Sequence, residues 1–127
     1  MKITKLKKIP VIVLVIIIFI LSSQTQFVGP PAPYYFNYLY MFLHVGEFGL
    51  FTMLLMLGFY PQVKLRYLIS ISLLYAVLDE IYQFFIPTRF CDIVDVICNS
   101  VGIILGVIFC LVIYKIRLRM IKYSLRG

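Results

Sequence analysis

LDEIYQFFIPTRFCDIVDVICN, from Leu78 to Asn99, decides how this chain is read. It holds four of the five acidic residues, Asp79, Glu80, Asp92 and Asp95, between flanks apolar enough for lipid. Pro87, near its middle, can neither donate to a helix ladder nor let its predecessor stay helical. The stretch is therefore the end of one helix, a proline turn and the start of another, with charge gathered where the two helices meet.

The rest of the chain explains why such charge is costly. Of the 127 residues, 63% are hydrophobic and the mean hydropathy is +1.03, well beyond the roughly 45 to 50% apolar content of soluble proteins. This composition predicts an integral membrane protein. At about 20 apolar residues per span, the chain has room for about four helices in a single domain, residues 1–127, and none for a separate soluble catalytic domain.

Working outward, four helices are expected, over about 9–28, 39–59, 67–85 and 91–114. The first follows four lysines and Pro10, and proline suits a helix start. Its short apolar core also has the form of a signal peptide, but the following SSQTQFVG lacks an A-x-A-like cleavage site, so a retained helix is expected. The loop from Gly29 to Tyr38 has three prolines, three tyrosines and no Lys or Arg, and reads as an outside loop with an interfacial aromatic belt. Pro61 closes the second helix and Pro87 the third. Lys115 to Gly127 reads as a basic cytoplasmic tail.

The net charge is +7, which raises the question of a nucleic-acid partner. The basic residues, however, sit in the gaps between apolar runs: Lys2, Lys5, Lys7 and Lys8 before the first, Lys64 and Arg66 in the middle, and Lys115, Arg117, Arg119, Lys122 and Arg126 after the last. Such a distribution follows the positive-inside rule and excludes nucleic acid as a partner in favour of anionic lipid. Both termini are then cytoplasmic. Arg89 is the only basic residue on the outer side, against eleven on the other. Cys91, Cys98 and Cys110 match no metal spacing and read as small apolar fillers.

This topology brings distant residues to one level. Counting about 1.5 Å per residue, His44 and Glu47 on the second helix, Asp79, Glu80 and Gln83 on the third, and Asn99 on the fourth all fall in the outer third of a roughly 30 Å core. Asp92 and Asp95 lie near the surface above them. His44 with Glu47, Asp79 with Gln83, Glu80 with Gln83, and Asp92 with Asp95 and Asn99 each share a helix stripe, while Asp79 and Glu80 themselves point about 100° apart. The fourth stripe continues into Gly102 and Gly106, small residues that let a neighbouring helix approach. Phe48, Phe51, Leu55, Met53 and Met56 read as packing or lipid contact.

The ordered set HVGEF at His44–Phe48, DEIYQ at Asp79–Gln83, PTR at Pro87–Arg89, DIVD at Asp92–Asp95 and NSVG at Asn99–Gly102 resembles the VanZ-like family of small bacterial membrane proteins. SSQ at Ser22–Gln24 is also similar to what members carry after their first span. The chain departs at Met41, where members often have lysine, and at Thr88, where they often have glycine. The resemblance implies a multi-pass protein of the bacterial plasma membrane with an envelope function, linked through the family's named member to teicoplanin resistance. It implies no established mechanism.

Several functions suit the polar set. In a binding reading, an outward pocket built from Glu47, Gln83, Arg89, Asp92, Asp95 and Asn99, rimmed by Tyr34, Tyr35, Tyr38 and Tyr82, recognises a membrane lipid, a lipid-linked cell-wall precursor or a glycopeptide. In an enzymatic reading, Glu80 or Asp79 is a general acid or base with His44 as proton partner, and Arg89 anchors phosphate bidentately. No cofactor is required. His44 with the carboxylates forms a hard, oxygen-rich set suited to Mg²⁺, Mn²⁺ or Ca²⁺, or to Zn²⁺ if the histidine ligates, but no H-x-x-x-H or E-x-x-H signature assigns a metal. The bland alternative is a structural or homo-oligomeric bundle in which these groups are interhelical hydrogen-bond glue. That accounts poorly for a choice of ionisable residues.

Overall fold

A computed structural model describes residues 8–24, 34–87 and 93–125, with side chains from Tyr38 onward in the middle segment. Among the described residues there are four helices and no strand: α1 (Ile9–Ser22), α2 (Tyr34–Phe59), α3 (Leu65–Phe84) and α4 (Ile93–Ser124). The all-α expectation therefore stands. Two helices, over Tyr38–Phe59 and Ile93–Ser124, are long and apolar enough to cross a membrane. α1, at 14 residues, reaches only about 21 Å. α3 reaches about 30 Å but carries Arg66, Asp79 and Glu80.

The helix ends depart from the expected ones for local reasons. α1 stops at Ser22, not near 28, because the polar residues after it take up its last carbonyls. Ser23 Oγ donates to Phe19 O at 2.6 Å, and Gln24 Nε2 donates to Ile20 O at 3.3 Å. α2 starts at Tyr34, so the second half of the expected outside loop is helix; the sequence supplies a proline at 33, a residue suited to a helix start. α4 runs ten residues past Tyr114 to Ser124, turning most of the expected tail into helix. Its Lys, Arg, Leu, Ile and Met residues are helix formers, and no Gly or Pro interrupts them. α3 ends as Pro87 requires, with the N–H of Phe85 and of Ile86 donating to Tyr82 O and Gln83 O, both at 3.0 Å.

Packing sets the register. α2 makes its most extensive contact with α4, and the two run parallel, from His44 beside Asn99 through Gly49 at Gly102 to Tyr60 against Tyr114. Glycines allow this closeness. A Cβ on Gly49 would meet Gly102 O at 3.2 Å, one on Gly106 would meet Gly49 O at 2.6 Å, and one on Gly102 would collide with Val45 O. The backbones are thus nearly in contact, as at small-residue crossings in membranes.

α1 runs parallel to α3, with Tyr75 OH donating to Val15 O at 3.1 Å and Ser22 reaching Asp79 at the far end. Phe48, Phe51 and Tyr75 form a ring cluster at the centre, with Phe51 and Tyr75 5.0 Å apart. Around it Ile18, Leu55, Met56, Leu68 and Ile103 are buried. Large apolar residues such as Ile12, Ile16, Phe42, Leu74, Ile104 and Phe109 are exposed on the outer faces, a far larger apolar surface than a soluble monomer presents.

Lys8 lies 4.8 Å over the Phe59 ring, and Tyr60 stacks edge-on against Tyr114. The start of α1, the α2–α3 turn with Lys64 and Arg66, and the basic half of α4 therefore share one end of the bundle. The buried Ser22, Asp79, Glu80, Gln83 and Asn99 lie toward the other.

Candidate functional site

The glycine crossing determines which side chains meet above it. His44 lies five residues before Gly49, and Asn99 and Asp95 lie three and seven before Gly102, so parallel packing at the glycines sets these three residues side by side. His44 Nδ1 is 3.0 Å from Asn99 Oδ1. Its other nitrogen, Nε2, lies 3.7 Å from Asp95 Oδ2, an ion-pair distance too long for a hydrogen bond. Glu80 enters from α3 and is only 1% exposed. One ligand atom of each of His44, Glu80 and Asp95 lies within 4.8 Å of the other two.

Asp79 and Glu80 diverge, as their helical phase requires. Asp79 turns to α1, where Ser22 Oγ donates to its Oδ1 at 2.6 Å and Gln83 Nε2 to its Oδ2 at 2.9 Å. Both carboxylate oxygens are thereby engaged in a buried arrangement. One turn away, Ser23 Oγ and Tyr82 OH are 2.9 Å apart, and Tyr82 stacks on Phe19 with centroids 4.8 Å apart.

Between α1 and α2 a cleft of about 560 Å³ opens. Its wall is apolar, with Leu14, Ile17, Leu21, Leu43 and Leu50, and one side carries Ser22, His44, Glu47 and Gln83.

Of the residues singled out in the sequence, the structure brings His44, Glu80, Asp95 and Asn99 into one group, sets Asp79 with Gln83 in an adjoining one, and puts Glu47 on the cleft wall. Arg89 and Asp92 lie outside the described residues, as do the side chains of Tyr34 and Tyr35. Tyr38 is exposed at 61%. Sequence reasoning missed Ser22 as the partner of Asp79. The signal was available in a polar residue placed directly at the end of an apolar helix, but its partner lies 57 positions away. It also missed the buried hydroxyls of Thr52 and Ser72; the latter returns to Leu68 O at 3.0 Å.

A family model described as VanZ/LLP1 matches residues 8–114. No curated protein and no solved structure matches the chain. The matched region runs from the first residues of α1 to Tyr114 and so contains every polar residue of both groups.

Proposed function

The chain belongs to the VanZ/LLP1 family, and from that premise we propose a membrane protein whose outward-facing pocket recognises a cell-envelope lipid or an amphiphilic glycopeptide. In this reading the four helices cross the bacterial plasma membrane with both termini cytoplasmic, in keeping with the shared basic end of the bundle. The observation that carries the proposal is the two-sided character of the α1–α2 cleft. An apolar lining of Leu14, Ile17, Leu21, Leu43 and Leu50 adjoins Ser22, His44, Glu47 and Gln83, and sites for amphiphiles combine apolar lining with a few placed polar groups. The link to teicoplanin resistance rests on the family resemblance and follows if the ligand is an acylated glycopeptide.

The test uses the full chain in lipid nanodiscs, with binding of an acylated glycopeptide compared with that of its non-acylated form. The acylated form binds more tightly, and Ile17→Trp, which fills the apolar wall, weakens it at least tenfold, or about 1.4 kcal/mol. Equal binding of both compounds, or equal binding by the Trp variant, sinks the reading.

One observation favours a second reading. Glu80, almost fully buried, converges on His44 and Asp95, a placement suited to acid–base chemistry on a lipid-linked envelope substrate. Turnover of such a substrate, abolished by Glu80→Gln with the fold intact, would select it.

A further inference from the structure

We propose that His44, Glu80 and Asp95 form a binding site for a single divalent transition-metal ion, of the Zn²⁺ or Mn²⁺ kind. The three residues come from three different helices, α2, α3 and α4, and one ligand atom of each lies within 4.8 Å of the others. Ligands of one ion at metal–ligand distances of about 2.1 Å sit about 3.4 Å apart in a tetrahedral shell. The His44 Nε2 to Asp95 Oδ2 separation, 3.7 Å, is within a few tenths of an ångström of that spacing. It is too long for a direct hydrogen bond, so a small ion between the two atoms suits the gap better than a shared proton.

The orientation of the imidazole is the second, independent observation. Metal-ligating histidines donate their other ring N–H to an oxygen that fixes ring and tautomer. Asn99 Oδ1, on a side chain with 0% exposure, sits 3.0 Å from His44 Nδ1. With the proton on Nδ1 donated to Asn99, Nε2 presents its lone pair toward Asp95 and Glu80. Asn99 also keeps its amide nitrogen buried with no acceptor among the described residues, a donor available to a water or oxygen ligand near the ion.

Charge and access agree. Two carboxylates held this close in a low dielectric repel each other, and a divalent ion between them turns the repulsion into attraction. The His44 and Asp95 side chains are 12% and 25% exposed, leaving a way in for a hydrated ion, while Glu80 forms the closed floor. One imidazole and two carboxylates suit Zn²⁺ or Mn²⁺ better than Ca²⁺, which prefers an all-oxygen cage. Three protein ligands leave a coordination position open to an exogenous oxygen. The site stands apart from the amphiphile reading, since binding of an ion is measured without any lipid or glycopeptide ligand.

The experiment purifies the full chain with a histidine-free tag, dialyses it against Zn²⁺ or Mn²⁺, and determines bound metal by elemental analysis, with helicity and monodispersity confirming the fold. Wild type is expected to hold one ion per chain. Glu80→Gln and Asp95→Asn each lower affinity at least tenfold, and Asn99→Ala, which frees the ring, lowers it by about tenfold. Co²⁺ in place of the native ion gives visible absorption bands that shift when His44 is replaced by Gln. Because Glu80 is the most buried ligand, Asp95→Asn, at the exposed edge, carries the test should Glu80→Gln not fold. Sub-stoichiometric metal in folded wild type, or full affinity in Asp95→Asn, overturns the site.

Discussion

Ser22 Oγ donates to Asp79 Oδ1 at 2.6 Å, joining the last residue of α1 to a buried carboxylate on α3. With Gln83 on the other oxygen, this makes Asp79 an anchor for the first helix, whereas its neighbour Glu80 serves the other side of α3. Interhelical hydrogen bonds in membranes average about 0.6 kcal/mol and reach about 1.7. Ser22→Ala is therefore expected to lower stability by about 1 kcal/mol, read as a fall in the thermal midpoint in detergent. Asp79→Ala, which strands both donors, falls further. A wild-type midpoint in Asp79→Ala would show that this carboxylate does not anchor α1.

The α2–α4 crossing makes a contrast between two glycines. A Cβ on Gly102 would overlap Val45 O and lie 3.0 Å from Gly49 N, whereas one on Gly46 meets nothing within 4 Å. Gly102→Ala is expected to cost about 1 to 3 kcal/mol through overpacking and to push the helices apart, separating His44 from Asn99. Gly46→Ala is expected to be neutral or slightly stabilising, since alanine favours helix over glycine. Thermal unfolding of the two variants side by side checks this, and equal midpoints would refute the close crossing.

Tyr75 combines a hydrogen bond with ring packing, and the two contributions are separable. Tyr75→Phe loses only the bond to Val15 O and is expected to cost about 0.6 kcal/mol. Tyr75→Ala also removes the ring that meets Phe48 and Phe51, and is expected to cost about 3 to 5 kcal/mol as the core is left with a cavity. Unfolding measured by helicity distinguishes them.

Orientation in the membrane yields a labelling experiment. Gln62, in the α2–α3 turn, and Tyr123, near the end of α4, lie on the basic end. Cysteines placed there in a cysteine-free background are expected to react with an impermeant maleimide only after the cells are opened. Reaction of either in intact cells reverses the proposed topology.

Particular residues show where sequence reading succeeded. Pro61 and Pro87 marked helix ends because proline's loss of a donor is local and does not depend on context. The divergence of Asp79 and Glu80 followed from helical phase, and Gly102 and Gly106 were recognisable as a packing stripe because small side chains have few other uses on an apolar helix. The early stop of α1 and the long run of α4 were less legible. They depend on side chains capping carbonyls and on helix formers continuing beyond the apolar segment, and hydropathy registers neither.

What the sequence determined by itself was composition, the all-α class and, among the described residues, four helices with two of their ends set by proline, because hydrophobicity and proline's missing donor are properties of the local chain. What only the tertiary structure decided was partnership. Ser22 with Asp79, His44 with Asn99, and Glu80 with His44 and Asp95 are pairings between helices, set by the rotation and closeness of their packing. That closeness rests on contact between the backbones at Gly49, Gly102 and Gly106, an interaction of two surfaces that neither helix specifies alone. LDEIYQFFIPTRFCDIVDVICN thus supplies charge to two groups, one tied to α1 through Asp79 and one gathered around His44.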